Sequence, residues 1–288
     1  MNDVTLQSLV IAGVVGSLSG THAAIWGMYK DAIHEGFERG RFARSVVIGA
    51  AVAVQAVLGL ALPGAAALVV LFGLAYAGER AVVEVWKTFV RDEDQAKYFI
   101  PMQFSVRGVP VASRGARLAA GAAYVGGVAA CLLAIAQLDV RAAGPPSAAR
   151  VALAALLMGS VVALGGAWKD APKEGFDPLK FFRSPGMTVL FALLLSQLTD
   201  GYLPATVAAL GYERAAAETY KTFFFPSKPR GKFAGKPVLY PEMLARRRRF
   251  VPAYVAICVA VLASGMLALR TAAQGDSAAR RLGAGVAR

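Results

Sequence analysis

Ten of the chain's 18 acidic residues fall in two short motifs that each occur twice: Asp31, Glu35, Glu38, Glu79 and Glu84 in the first half, Asp170, Glu174, Asp177, Glu213 and Glu218 in the second. Basic residues are interleaved with them, Lys30, Arg44, Arg80 and Lys87 in the first half and Lys169, Arg183, Arg214 and Lys221 in the second. Such mixtures support two kinds of chemistry. The carboxylates can bind a cation or carry protons, while the lysines and arginines can hold a phosphate or carboxylate. As hard oxygen ligands, Asp31, Glu35 and Glu84, with their counterparts Asp170, Glu174 and Glu218, could hold Mg²⁺.

Spacing narrows the pairings. Asp31 and Glu35 are four residues apart, as are Asp170 and Glu174, so on a helix each pair shares a face and repels unless a cation lies beside it. Gly36 and Gly175 are expected to end that turn. Pro172 suits an early helical position, so Asp170 can instead cap a new short helix, and the two copies need not fold alike. Arg80 and Glu84, like Arg214 and Glu218, are placed for an ion pair within one helix. Glu79 and Glu213 lie about 100° round the helix and need other partners, for which Lys30 and Lys169 are the candidates. Arg44-Ser45 matches Arg183-Ser184-Pro185, and serine followed by proline predicts a helix start. Free backbone N–H groups there, beside an arginine, form a candidate phosphate or carboxylate site. Snorkelling of Arg44 and Arg183 to lipid phosphates is the plainer alternative.

The elements that carry these residues are apolar. The chain of 288 residues is 57% hydrophobic with a mean hydropathy of +0.52, more apolar material than a soluble core of that length needs. Stretches long enough to cross ~30 Å of hydrocarbon recur at about 5–29, 45–62, 65–88, 118–138, 151–168, 186–199, 203–224 and 250–270. None shows the alternation of a membrane β-strand, so the expected fold is all-α, with eight transmembrane helices. The first apolar segment follows Met-Asn-Asp without Lys or Arg, unlike a signal peptide, and is expected to stay as helix one. Cys131 and Cys258 lie within apolar segments as small hydrophobes, with no disulfide or metal site implied.

A formal net charge of +13 raises nucleic acid as a partner. Its distribution excludes that reading. The connections 30–45, 87–117, 169–183 and 221–249 hold 23 of the 31 Lys and Arg residues, and the opposite-side segments hold six. Those four connections are therefore expected to be cytoplasmic, in a bacterial inner membrane or its equivalent, with both termini on the other side. The run Arg246 to Arg249 precedes the last helix, where contact with anionic headgroups is expected.

Self-similarity orders the whole chain. Residues 29–45 (YKDAIHEGFERGRFARS) match residues 168–184 (WKDAPKEGFDPLKFFRS) at nine of seventeen positions. ERAVVEVWKTF at 79–89 matches ERAAAETYKTF at 213–223 at seven of eleven. The offset changes from 139 to 134 between the motifs, near Pro63-Gly64 and Asp200-Gly201. Two tandem four-helix repeats follow, 1–145 and 146–288, the second with a polar tail at 271–288. An even number of helices gives both halves the same orientation, related by a pseudo-twofold axis along the membrane normal.

Glu79 and Arg80 lie about eight residues before the basic end of their helix, ~12 Å below the membrane boundary, where charge is costly and turns to the bundle interior. His22 shares its helix with Ser17, Ser19 and Thr21 and is a proton-relay candidate, although its repeat counterpart is Val161. Trp26, Trp86, Trp168, Tyr29 and Tyr220 are expected as an aromatic belt. The Gly- and Ala-rich runs point to close helix packing. Three functions fit: a carrier or channel-like protein for an anionic solute or lipid headgroup, a Mg²⁺-dependent membrane enzyme acting on phosphorylated lipid, or an assembly protein whose charges are structural. An oligomer is compatible with each.

Overall fold

In the computed structural model, which describes residues 5–60, 64–141, 146–224 and 231–286, the chain is an all-α bundle. Its elements are α1 (Leu6–Glu35), α2 (Arg39–Gly59), α3 (Gly64–Val85) with a π-helical extension Trp86–Val90, the short hairpin β1 (Ser105–Val106) and β2 (Val109–Pro110), α4 (Arg114–Arg141), α5 (Ala148–Glu174), α6 (Pro178–Leu195), α7 (Tyr202–Thr219) with a π-helical extension Tyr220–Phe224, the short α8 (Met243–Arg246) with a 3-10 turn Arg247–Phe250, and α9 (Val251–Val286). Seven helices are long and apolar enough to cross a membrane, which is the architecture of a polytopic membrane protein. α7 is the exception. It occupies the expected seventh segment but carries Glu213, Arg214 and Glu218 within 18 residues. The turn at Pro63, the boundary at 145 and parts of the connection 221–249 lie outside the described residues.

Several boundaries differ from the sequence reading for identifiable reasons. α6 begins at Pro178, not at Ser184-Pro185. Asp177 caps it, accepting a hydrogen bond from the Lys180 amide at 3.1 Å, with proline at the first helical position. Pro185 is thus inside the helix, and Arg44-Ser45 is likewise inside α2. The proposed anion site on free N–H groups at these positions is therefore absent, because those amides belong to continuous helix. α5 runs through Pro172 to Glu174, so Asp170 caps no new helix. Pro172 lies in the last turn of α5, two residues before its end. α9 continues through residues 271–286, read from sequence as a polar tail. Gly36 and Gly175 end α1 and α5 as expected, with φ of 76° and 81°.

α1 packs along α2 and α3, and α5 packs along α6 and α7. α3 and α7 cross at the middle of the bundle, α9 lies on α3, and α4 lies on α7. Small residues set these separations. A Cβ on Gly211 of α7 would stand 2.0 Å from the Gly73 carbonyl oxygen of α3. One on Gly20 of α1 would stand 2.2 Å from the Ser45 carbonyl oxygen of α2, and one on Gly159 of α5, at the matching position, 2.7 Å from Pro185 Cα of α6. The largest apolar core lies around Val70, Ala155, Leu195, Tyr202 and Ala208, near the end where Asp139 of α4 accepts hydrogen bonds from the Tyr202 and Leu203 amides that start α7.

At the opposite end the four basic connections meet. The 91–113 connection reaches α5, where the Trp168 indole donates to the Ser105 carbonyl at 2.8 Å. The 231–242 segment reaches α1, where the Leu239 and Tyr240 amides donate to the Ile33 carbonyl. The two segments join each other through the Phe99 amide and the Lys232 carbonyl, 2.7 Å apart, and through the tilted rings of Tyr98 and Phe233, 5.6 Å between centres. We call this crossed pair the strap. Replacing Gly211 with valine should force α3 and α7 apart and lower stability by about 1–3 kcal/mol, the usual range for overpacking. The unfolding temperature in detergent measures this, with Gly265→Val, whose Cβ meets nothing within 4 Å, as the neutral control.

Candidate functional site

The second motif forms the seam between α3 and α7. Glu79 is fully buried, and the neighbouring Arg80 binds it through two nitrogens, Nη2 standing 2.6 Å from Oε1. Glu84 lies 3.7 Å from Lys87 and 4.0 Å from Arg80. On α7 the matching arginine makes the other choice. Arg214 pairs with Glu218 at 3.0 Å, and Glu213 instead accepts from the Ser184 hydroxyl at 2.7 Å. The same sequence pattern, an arginine between a carboxylate one residue before and another four residues after, thus adopts both of its possible pairings.

The seam is closed from both halves. Glu218, 2% exposed, also receives Lys221 at 3.7 Å and Lys30 of α1 at 4.0 Å. Lys169 of α5 has Glu84 of α3 and Asp170 as its charged neighbours. Lys30 and Lys169 therefore serve the later glutamates, Glu218 and Glu84, and not Glu79 and Glu213 as the helical-wheel argument suggested. Between the two halves, Trp26 of α1 lies in the core with Arg80 5.3 Å from its ring centre, Arg214 5.8 Å from it, and its indole donating to the Tyr76 hydroxyl. It is not part of an aromatic belt. Trp86 and Tyr220 are about half exposed on the π-helical extensions.

The first motif sits under the strap, and its two copies have different partners. In the first half Asp31 and Glu35 share Lys232 of the strap, at 2.9 and 3.4 Å. Glu35 also receives Arg41 at 3.0 Å and the Tyr98 hydroxyl at 2.8 Å. In the second half Lys180 bridges Asp170 and Glu174 at 2.8 and 2.9 Å, and the Gly231 amide donates to Glu174. Burial works against a charged Lys232, but Asp31 and Glu35 outweigh it and raise its pKa. Burial likewise pushes the Glu93 carboxyl up, and the Lys97 hydrogen bond, the Arg91 charge and the Tyr98 hydroxyl together hold it below its ordinary value.

Beneath the strap, between α1, α2 and α3, is a cavity of about 100 Å³. A single water needs roughly 10–15 Å³ on this scale, so several waters or one tetrahedral oxyanion fit. Six cations line it, Arg41, Arg44, Arg80, Lys87, Arg91 and Lys232, against three carboxylates, Asp31, Glu35 and Glu38. Five of the six have carboxylate partners. Arg44 has none within ion-pair distance among the described residues, and its Nε, like that of Arg91 and like Asp31 Oδ1, is buried without a hydrogen-bond partner. Arg183, the counterpart of Arg44, also has a buried unpartnered Nε.

Each carboxylate read from sequence as a Mg²⁺ ligand has a basic neighbour, and among the described residues no three His, Cys, Asp or Glu side chains are grouped as a metal site. His22 is buried, stacked on Tyr254, with Nε2 3.5 Å from Cys258 Sγ and Nδ1 unpartnered. Both cysteines are free thiols. Of the arginine run, Arg247 donates to the Tyr29 carbonyl and Arg246 lies over Phe37, which leaves Arg248 and Arg249 exposed. Arg41 and Lys180, absent from the sequence candidates, occupy matching positions where both halves keep a basic residue, a signal that was available. Lys232 and Tyr98 come from remote connections and gave no such signal. Set against known protein families, characterised proteins and solved structures, the chain matches none.

The Glu93 shift carries a sign. A carboxyl whose pKa is lowered on folding contributes stability above its unfolded value, ~4.3 for glutamate, and loses it as pH falls through the lowered value. Glu93→Gln should therefore lower the unfolding temperature at pH 7. That deficit should shrink as the buffer is taken below about pH 4, measured as unfolding temperature of both proteins across the series.

Proposed function

We propose that the chain is a carrier for an anionic solute or headgroup, built from two parallel four-helix repeats around the α3–α7 crossing, with its binding site in the cavity under the strap. The observation that carries this reading is Arg44, an arginine with no carboxylate within ion-pair distance in a cavity whose five other cations are each paired. A half-buried guanidinium in an apolar bundle is costly unless a counter-charge reaches it, and a phosphate or carboxylate supplies one with the forked geometry that arginine prefers.

The repeat reading is supported by matched packing. Each half uses its second motif as a helix with a π-helical end, each lays its fourth helix on the other half's third, and each sends its basic connection to the other half's first helix. In that arrangement α7 is the eighth spanning helix, tolerating its charges because protein and not lipid surrounds it. The concentration of Lys and Arg at the strap end makes that end cytoplasmic. The opposite pairings of Arg80 and Arg214 favour a carrier over a rigid scaffold. Two near-identical sequences in two states indicate that both states are close in free energy, which is what a site that opens alternately requires.

Reconstituted into liposomes preloaded with phosphate, the protein should accumulate radiolabelled phosphate by counterflow, and Arg44→Gln should reduce the rate roughly tenfold or more, the effect of losing at least ~1.4 kcal/mol of binding. Glu79→Gln and Glu213→Gln should both slow it, because each changes one arginine's choice of partner. No accumulation of phosphate or of carboxylate anions above protein-free liposomes would refute the carrier reading.

A further inference from the structure

Beside the cavity lies a second space, a cleft of about 380 Å³ on the outer side of the strap. Glu35, Glu38 and Arg41 line both. The two spaces therefore adjoin across one ion cluster, in which Arg41 holds Glu38 at 2.8 Å and Glu35 at 3.0 Å. The cleft differs in character from the cavity. Its walls come from the end of α1 and from the strap, with His34 stacked on Phe233, the ring of Tyr240 about 40% exposed, and Lys97 and Lys236 at the rim. Its volume is in the range of small-molecule sites, roughly 300–1,000 Å³, whereas the inner cavity is sized for one oxyanion.

From this juxtaposition we infer that the ligand is a water-soluble phosphate monoester, with its phosphate in the inner cavity against Arg44 and Arg91 and its organic part in the outer cleft against Tyr240. The inference rests on the anion-binding reading above and adds the substrate class. The inner cavity leaves Arg44 without a carboxylate partner and Arg91 with an unpartnered Nε, and the several oxygens of a phosphate can engage both. The outer cleft, mixed in polarity and rimmed by lysines, suits a sugar or ring and not acyl chains. Arg41, at the junction, is placed to reach the phosphate from the outer side on exchanging Glu38, whose side chain is 52% exposed and readily solvated.

The test is calorimetric titration of the purified full-length protein in detergent with inorganic phosphate, ribose 5-phosphate and phenyl phosphate, and with phosphatidic acid as a competitor. The variants are Arg44→Gln in the inner cavity, and Tyr240→Ala with Tyr240→Phe in the cleft. At least one monoester should bind roughly tenfold or more tighter than inorganic phosphate, corresponding to ~1.4 kcal/mol. Arg44→Gln should weaken all three ligands. Tyr240→Ala should bring that monoester down to the phosphate level while leaving phosphate itself unchanged, which also reports an intact inner cavity, and Tyr240→Phe should retain most of the gain. Phosphate binding with no monoester advantage, or an advantage that Tyr240→Ala does not touch, overturns the inference and leaves the anion site standing. Displacement by phosphatidic acid with no binding of soluble monoesters overturns it in favour of a lipid headgroup. Binding of none of these ligands removes both the inference and the reading on which it rests.

Discussion

Charge that enters an apolar bundle has to find its counter-charge inside the protein, and the α3–α7 seam is organised by that constraint. Glu218 is almost fully buried and collects Arg214 and Lys221 from its own helix and Lys30 from α1. Glu84 collects Arg80 and Lys87, with Lys169 of α5 nearby. Each helix supplies two cations of its own, and Lys30 of α1 and Lys169 of α5 each add one to a glutamate of the other half. The two halves are therefore bound by electrostatics at the depth where hydrophobicity gives least preference between helix and lipid. The bare backbone approach at Gly73 and Gly211 brings the helices close enough for this. The strap repeats the logic at the surface, with Lys232 from the second half neutralising Asp31 and Glu35 of the first.

The pairings are not saturated equally. In the seam each buried glutamate has a partner, although Glu218 Oε2 makes no hydrogen bond. Under the strap, five cations are committed and Arg44 is not, while Asp31 Oδ1 and Arg91 Nε are buried without hydrogen bonds. A lattice built only to hold helices together would gain by satisfying those groups, since a buried unpaired donor costs about 1–3 kcal/mol, more when charged. A site that must accept an anion and release it keeps such donors available. The two copies of the second motif pair their arginines differently, and Arg80 lines that cavity.

Much of this was legible in the sequence where the signal was local or repeated. The apolar segments located the long helices, and the duplicated motifs located the charges that the fold buries. Gly36 and Gly175 marked the ends of α1 and α5 because only a left-handed residue closes the helix there. Ser184-Pro185 misled because a stronger start, Asp177-Pro178, lay about two turns earlier. Pro172 misled because α5 continues through it to Glu174 in spite of the amide that proline lacks. Partner choice was the least legible. A helical wheel puts Arg80 with Glu84, yet a long side chain can fold back onto the adjacent Glu79, and nothing local predicts that Lys232 crosses the molecule to reach Asp31. Those choices depend on the strap's path, which the sequence specifies only through contacts between residues far apart in the chain.

The central claim is that the arginines under the strap of the first half take an oxyanion, in a cavity that Arg183 does not line. Mass-spectrometric mapping of arginine modification by phenylglyoxal, with and without saturating phosphate, tests it directly, using exposed Arg248 and Arg249 as internal references. The account predicts that phosphate protects Arg44 and Arg91 while Arg183, Arg248 and Arg249 react unchanged. Equal labelling of Arg44 with and without phosphate, or protection spread evenly over all five, would contradict it.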